Sequence, residues 1–190
     1  MPSPALTESQ FTVLQALHNA DAALTQRRIH ERTELSLGTV NATVRELEAR
    51  GYAVDRRITD AGLEALEPYR VSNAVIMAAG LSKRFAPISY ERPKGTLRVR
   101  GEVLIERQIR QLHEAGITDI TVVVGYKKEY FFYLAEQFGV TIVVNDAYLT
   151  RNNNSSLWRV RKRLGNTYIC SSDDYFTSNP FEPYVYKAYY

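Results

Sequence analysis

The stretch AVIMAAGLSKRFAPISYERPK, residues 74–94, decides the fold. Its apolar opening, AVIMAAG, reads as a buried strand that runs straight into a glycine loop. Past that strand the chain must turn and expose backbone N–H groups. Gly80 is expected to tolerate the dihedrals of the turn and to let a phosphate come close. Ser82 adds a hydroxyl donor, and Arg84 a forked donor suited to phosphate oxygens. Lys94 follows Pro93, whose fixed φ restricts where the lysine points. One loop can thus bring two cations to one polyphosphate. Taken singly, each of these residues is as well explained by a solvated surface loop. The joint pattern of buried strand, Ala-Ala-Gly, an arginine four residues later and a Pro-Lys is far more specific. Neither GxxxxGK followed by Ser or Thr nor GxGxxG is present in this loop.

Working outward, strands and helices alternate. EVLIERQIRQLHEAG (102–116) has a helical apolar period and stops at Gly116; ITDITVVVGY (117–126) reads as a second strand, and KKEYFFYLAEQFG (127–139) as an aromatic helix. TIVVND (141–146) is a third strand, SSLWRVRKRLG (155–165) a third helix and TYICSSDD (167–174) a fourth strand. This alternation predicts an α/β fold with a Rossmann-like, mostly parallel sheet. Ligands of such sheets sit outside the carboxyl ends of the strands. Those ends carry Ala79–Gly80, Gly125–Tyr126, Asn145–Asp146 and Ser172–Asp174.

Upstream the pattern differs. ESQFTVLQALHN (8–19) places Phe11, Leu14 and Leu17 at helical spacing behind Thr7 as N-cap. TQRRIHERT opens on Thr25. SLGTVNATVRELEARG opens on Ser36, lines Val40, Val44 and Leu47 on one face, and stops at Gly51. YAVD and RRIT read as two short strands and DAGLEALEPY as a closing helix. That order predicts a small winged helix-turn-helix over residues 1–70, a linker at Arg70–Asn73, and a second domain over 73–190. A winged helix reads DNA with its third helix. The candidates are Ser36, Thr39, Asn41 and Arg45 on that helix and Arg56 and Arg57 on the wing, with Arg27, Arg28 and Arg32 near phosphate. The competing reading is a domain that dimerises, making a homodimer, or that regulates the second domain.

Composition narrows the function class. Hydrophobic residues are 45% and charged residues 24% of the 190, which suits folded domains. No apolar run of 18 residues occurs, so no membrane span is expected, and MPSPALTESQ lacks the pattern of a secretory signal. Cys170 is the one cysteine, which excludes an internal disulfide and a cysteine-cluster metal site and suits a cytoplasmic setting. The net charge of +3 hides an asymmetry. Residues 1–70 hold 8 Arg and no Lys against 10 Asp and Glu, giving −2, whereas residues 71–190 hold 16 basic and 11 acidic side chains, giving +5. The anionic ligand is therefore expected in the second domain.

Several residues have a plain reading beside the functional one. Asp174 sits next to Asp173, but neighbouring strand residues point to opposite faces, so it reads as a helper or a loop residue. His18, His30 and His113 have no partner spacing and read as helix-surface residues. Cys170 reads as packing. Tyr126, Tyr130, Phe131, Phe132 and Tyr133 could cage a quaternary ammonium, yet on a helix they read first as packing. Arg159, Arg161, Lys162 and Arg163 read as a solvated face.

The loop at 78–94 resembles the signature loop of the nucleotidyltransferase superfamily that makes nucleotide-sugars and CDP-alcohols. VVVGYKKEYF, VVNDAY, NNNSSLWRVRKRL and TYICSSDDYF follow in order. Residues 73–190 are most similar to bacterial CTP:phosphocholine cytidylyltransferases. The resemblance implies a magnesium-dependent transfer of a nucleotidyl group, CMP from CTP, to phosphocholine or a similar phosphorylated alcohol, with release of pyrophosphate. It implies that Ala78, Ala79, Gly80, Ser82 and Arg84 hold the triphosphate, that Arg84 and Lys94 are catalytic, and that Asp173 binds magnesium. Gly125, Tyr126, Asn154 and Ser155 would lie near the base or ribose. The sequence departs from the family at Ser82, where glycine is usual, and at Pro-Lys-Gly-Thr in place of Pro-Lys-Ala-Leu. Family members also run well beyond the point matching Tyr190. Two alternatives stay open: a sugar-phosphate nucleotidyltransferase, and a winged-helix regulator whose C-terminal half senses a nucleotide or CDP-alcohol.

Overall fold

Hydroxyl side chains set where the N-terminal helices begin. Thr7 caps α1 (Glu8–His18) in a reciprocal box with Gln10, Thr25 caps α2 (Gln26–Thr33), Ser36 caps α3 (Leu37–Ala49) and Thr59 caps α4 (Asp60–Leu66). The computed structural model describes residues 5–81, 86–149 and 154–189, and these form two units, Met1–Arg70 with Tyr184–Tyr190, and Val71–Pro183. In the first unit the apolar stripes of α1, α2 and α3 meet: Leu14, Ile29, Val40 and Leu47 are fully buried, with Phe11 and Leu17 nearly so. The wing is the antiparallel pair β1 (Ala53–Val54) and β2 (Arg57–Ile58). Asp55 and Arg56, at φ 48° and 58°, make its two-residue turn.

The first unit also takes in Tyr184–Tyr190, which the sequence reading assigned to the second domain. Tyr184 is buried, and its hydroxyl accepts from Arg70 Nη2 at 2.6 Å while its carbonyl accepts from Gln15 Nε2 at 2.9 Å. Tyr186 stacks on Tyr69, with ring centroids 5.6 Å apart, and tilts against Phe11 at 5.4 Å. These aromatic contacts give residues with no neighbours in sequence a place in the core. His18 departs from its surface reading for the same reason: its ring meets the edge of Tyr184 at 5.2 Å, and burial first, then the Arg70 charge, lowers its pKa.

In the second unit four parallel strands form one sheet in the order β7-β6-β3-β8: β3 (Asn73–Ala78), β6 (Ile120–Val124), β7 (Thr141–Val144) and β8 (Thr167–Ser171). β3 and β6 are near-continuous apolar runs, interrupted only by Asn73 and Thr121, with every residue of β6 buried, as a strand covered on both faces requires. Ile105, Ile109 and Leu112 are fully buried on α6 (Leu104–Glu114), and Val160 of α8 (Asn154–Val160) packs with Val75 and Val123. A short α5 (Ile88–Glu91) precedes a 3₁₀ turn at Lys94–Thr96. Among the described residues no helix is long and apolar enough to cross a membrane.

Three element boundaries differ from the sequence reading. Glu102–Val103 is not helical but pairs as β5 with β4 (Arg98–Val99), because Arg100 and Gly101 at φ 51° and 86° make a hairpin turn. The aromatic stretch is not one helix. Lys127 at φ 50° stands outside the helical segment, which opens as a 3₁₀ turn (Lys128–Phe131) and resumes as a short α7 (Tyr133–Phe138). The third helix tightens into a 3₁₀ turn at Arg161–Arg163.

Gly62 offers a test of the first unit's packing. A Cβ there would lie 2.2 Å from the Tyr52 carbonyl oxygen and 2.8 Å from Ile58 Cγ1. Gly62→Ala in a helix interior would ordinarily stabilise by about 1 kcal/mol. Here it is expected to cost about 1–3 kcal/mol through overpacking, seen as a lower midpoint in urea; a higher midpoint would contradict the packing described.

Candidate active site

The chain places β6 and then β7 on one side of β3 and returns to lay β8 on the other. The strand order therefore reverses between β3 and β8, and a crevice outside the carboxyl ends of the strands is expected at such a reversal. A cavity of about 410 Å³ lies there, lined by Met77, Ala78, Ala79 and Gly80 from β3 and its loop and by Ser171, Ser172, Asp173 and Asp174 from β8 and its turn. Pro93, Lys94 and Gly95 close a second side, and Phe131 and Ser156 complete it.

Lys94 Nζ donates to Asp173 Oδ2 at 3.0 Å, and the side chains are 15% and 38% exposed. A cation from the loop after β3 and an anion from the turn after β8 thus meet over 79 residues of chain. Asp174 lines the same cavity. Asp174 is expected to be a helper or a loop residue, and since β8 ends at Ser171 both acids lie beyond the strand, where strand alternation does not apply. Burial first, and the Asp173 charge second, raises the Asp174 pKa; a backbone hydrogen bond at Ser171 opposes them. Burial likewise pushes the Cys170 thiol up to about 12, which agrees with a packing role.

Close approach explains one departure from the expected Pro-Lys-Ala-Leu. A Cβ at Gly95 would lie 2.9 Å from Ser172 Cβ, 3.0 Å from its Oγ and 3.1 Å from its carbonyl oxygen. Glycine next to Lys94 therefore lets the loop press against the turn that carries Asp173. That turn is held from behind by α6. Gln108 Nε2 donates to the Ser171 carbonyl at 3.2 Å, Arg107 Nε to that of Phe176 at 2.9 Å, and Gln111 Nε2 to that of Ser178 at 3.2 Å. Their spacing on one helix face was visible in sequence, but nothing marked carbonyls more than 60 residues away as the partners.

The predicted residues fall into three groups. Ala78, Ala79, Gly80, Lys94 and Asp173 line the cavity. Gly80 does so for a different reason than expected: its φ is not positive and a Cβ there would meet nothing within 4 Å among the described residues, so its contribution is open space and not an unusual dihedral. Gly125, Tyr126, Asn154 and Ser155 stand outside the cavity lining. Gly125 is packed instead, since a Cβ would come within 2.8 Å of the Ala79 carbonyl and 2.9 Å of Tyr148. Tyr126 N–H donates to that same carbonyl at 3.2 Å. Ser82 and Arg84 lie outside the described residues. Met77 and Ser156 carried no mark in the sequence, while Ser172 was named as part of a strand end and Phe131 among the packing aromatics; the place of all four in the lining depends on the sheet order. It named Asn145 only as a strand end, yet that residue is 1% exposed and its amide donates to Ser155 Oγ at 2.9 Å and Ser156 Oγ at 3.1 Å. The aromatic cage reading finds Lys127 Nζ already 5.8 and 5.6 Å from the Tyr126 and Tyr130 ring centres.

On the winged helix, Arg45 and Arg57 are exposed, and Thr39, Asn41 and Arg56 are half-buried. Ser36 spends its hydroxyl on the cap: Oγ accepts from Thr39 N–H at 3.1 Å and lies 2.9 Å from Thr39 Oγ1. Arg27 and Arg28 are exposed and both lie within 3.8 Å of Glu31.

Comparison with known proteins agrees with both units. Residues 74–171 match the family described as MobA-like NTP transferase domain, and residues 6–61 match the MarR family. A choline-phosphate cytidylyltransferase of Streptococcus pneumoniae is 43% identical over 117 residues, 62% of this chain and 51% of that protein. A 2-aminoethylphosphonate cytidylyltransferase of Lancefieldella rimae is 46% identical over 105 residues, 54% of this chain and 43% of that protein. The solved structure of CTP:phosphocholine cytidylyltransferase from Streptococcus pneumoniae superposes with a TM-score of 0.58 at 44% identity, covering 60% of this chain and 50% of that one. The chain spans about half the length of these relatives.

The raised Asp174 pKa makes a signed prediction. The native state holds that proton more tightly than the unfolded chain, so this group's contribution is greatest below about pH 3.9 and is lost as pH rises through the raised native value. Asp174→Asn removes the penalty. It is expected to raise the melting temperature at pH 7, with the gain vanishing toward pH 4; a gain that grows on acidification would contradict the assignment.

Proposed function

The chain belongs to the family of MobA-like NTP transferase domains, and from that premise we propose that it is a cytidylyltransferase joining CMP from CTP to phosphocholine, with pyrophosphate as the second product. The observation that carries this reading is the Lys94–Asp173 contact at 3.0 Å across a cavity at the sheet's switch point. It sets a cation and an anion where a triphosphate and a divalent ion would meet. The cytidylyl relatives supply the base, and the first of them the acceptor.

In the proposed reaction a phosphate oxygen of phosphocholine attacks the α-phosphorus of CTP. The bond from that phosphorus to the oxygen bridging to the β-phosphate breaks, and pyrophosphate departs with the electron pair. The attacking phosphate is already ionised near neutral pH, so no general base is needed. Lys94 gives up Asp173 for the polyphosphate and holds the charge that builds on its oxygens. The β3 loop, with Ala78, Ala79 and Gly80, offers backbone and room for the triphosphate; Ser82 and Arg84 are assigned beside it by resemblance. Asp173, with Asp174 next to it, fits Mg²⁺, which is usually bound through one or two carboxylates and substrate phosphates. Among the described residues no group of three or more His, Cys, Asp or Glu could hold a metal by itself, which agrees with a metal that arrives with its nucleotide. Such an ion would neutralise phosphate charge and orient the triphosphate.

The test is pyrophosphate release by the purified chain with CTP and, in separate arms, phosphocholine, 2-aminoethylphosphonate and glucose 1-phosphate. Turnover is expected with phosphocholine, and the second relative makes the phosphonate the specific rival acceptor. Lys94→Ala should lower kcat/KM about 10²–10³-fold. An unchanged rate would remove Lys94 from the mechanism, and turnover with the sugar phosphate alone would replace the acceptor.

For the N-terminal unit we propose DNA binding through α3 and the wing, with Arg45, Arg56 and Arg57 as contacts, on the strength of the MarR match over residues 6–61. The net −2 of residues 1–70 argues for few phosphate contacts and so a shallow salt dependence. Selection from a random duplex pool should return an enriched sequence that Arg45→Ala no longer binds. Recovery of no sequence would instead favour a regulatory or dimerising role.

A further inference from the structure

We infer that Asn145 is a positioning residue that fixes the hydrogen-bond polarity of the base subsite, making it complementary to cytosine. This rests on the cytidylyltransferase reading above. Asn145 follows β7, with its backbone N–H donating to the Val124 carbonyl at 2.8 Å, and the residue is 1% exposed. The direction of its amide is set by its surroundings. The Ala147 backbone N–H donates to Oδ1 at 3.1 Å, and an N–H can only meet an acceptor, so Oδ1 faces Ala147 and Nδ2 faces the serines.

That orientation has a consequence for Ser155 and Ser156. Both hydroxyl oxygens accept from the one amide nitrogen, at 2.9 and 3.1 Å, so they lie side by side. An amide nitrogen cannot accept a hydrogen bond, so neither serine spends its own proton on Asn145. Among the described residues neither proton meets an acceptor, so two O–H donors stay side by side at the edge of the cavity. Ser156 lines the cavity, and Ser155, half-buried, stands next to it at the start of α8. Two adjacent donors call for two adjacent acceptors. Cytosine presents O2 and N3, both acceptors. Uracil presents O2 beside an N3–H donor, and each neighbouring pair on that edge holds one mismatch. Asn145 touches no substrate in this account; it acts through the serines.

Asn145→Asp reverses the logic while keeping the shape. Aspartate still accepts from Ala147, but it now also accepts from both serine hydroxyls, which turns their lone pairs toward the cavity. Calorimetric titration of CTP, UTP and GTP, each with Mg²⁺, into the chain and its variants reads this out as a ratio. The ratio cancels any general repulsion between the new carboxylate and the phosphates. The parent chain should bind CTP most tightly. Asn145→Asp should lower the CTP-to-UTP preference by about tenfold or more, and Ser156→Ala should lower it in the same direction, which keeps the test open if the aspartate variant does not fold. An unchanged ratio in a folded variant overturns the inference while leaving the transferase reading intact. A parent chain that prefers GTP overturns it as well, and one that binds no nucleotide overturns the transferase reading and this inference together.

Discussion

The pairing of β3 with a parallel strand on each side, β6 on one and β8 on the other, is the constraint from which the C-terminal unit follows. Parallel strands point their carboxyl ends the same way, so four strand ends and the segments after them crowd onto one edge of the sheet. Only next to β3 do the connections part, because β8 is reached by crossing back over strands laid down earlier. The cavity sits there. Hydrogen bonds within the ladder thus do what no single side chain could: they bring Lys94 and Asp173 within 3.0 Å.

Holding that edge in place takes more than the sheet. The turn after β8 has no regular partner, and α6 supplies one through side chains. Arg107, Gln108 and Gln111 donate to backbone carbonyls from Ser171 to Ser178, so acceptors that a loop would leave to water are met by the protein. Glu102 in turn receives Arg107 and Arg110, and these two cations hold its carboxyl below the usual range. On the opposite side two glycines let chains touch: Gly95 against Ser172, and Gly125 against the Ala79 carbonyl and Tyr148. Preorganisation of this kind suits chemistry that depends on placing charge and not on a reactive side chain.

The N-terminal unit is built by different means. Its helices start on hydroxyl caps, its wing turns on two residues with positive φ, and its core is a plain meeting of three apolar stripes. Its one unusual ingredient is the aromatic group of Phe11, Tyr69, Tyr184 and Tyr186, two of whose members come from the far end of the chain.

By itself the sequence determined the parts that depend on local order. The caps at Thr7, Thr25 and Ser36, the four strands, the alternation that makes the sheet parallel, and the loop with Gly80 and Lys94 all follow from neighbours a few residues apart, where period and turn chemistry act directly. It did not reach the breaks at Lys127 and Gly101, because a left-handed residue interrupts a periodic pattern without changing it. Tertiary structure alone decided which strand lies beside β3, and so which side chains share the cavity: Asp174 joins Asp173 because β8 stops at Ser171. It also decided that Gln108 faces the Ser171 carbonyl and that Asn145 gathers Ser155 and Ser156. The physical reason is the same throughout: a hydrogen-bond partner far along the chain leaves no mark on local periodicity, and only packing brings it within reach.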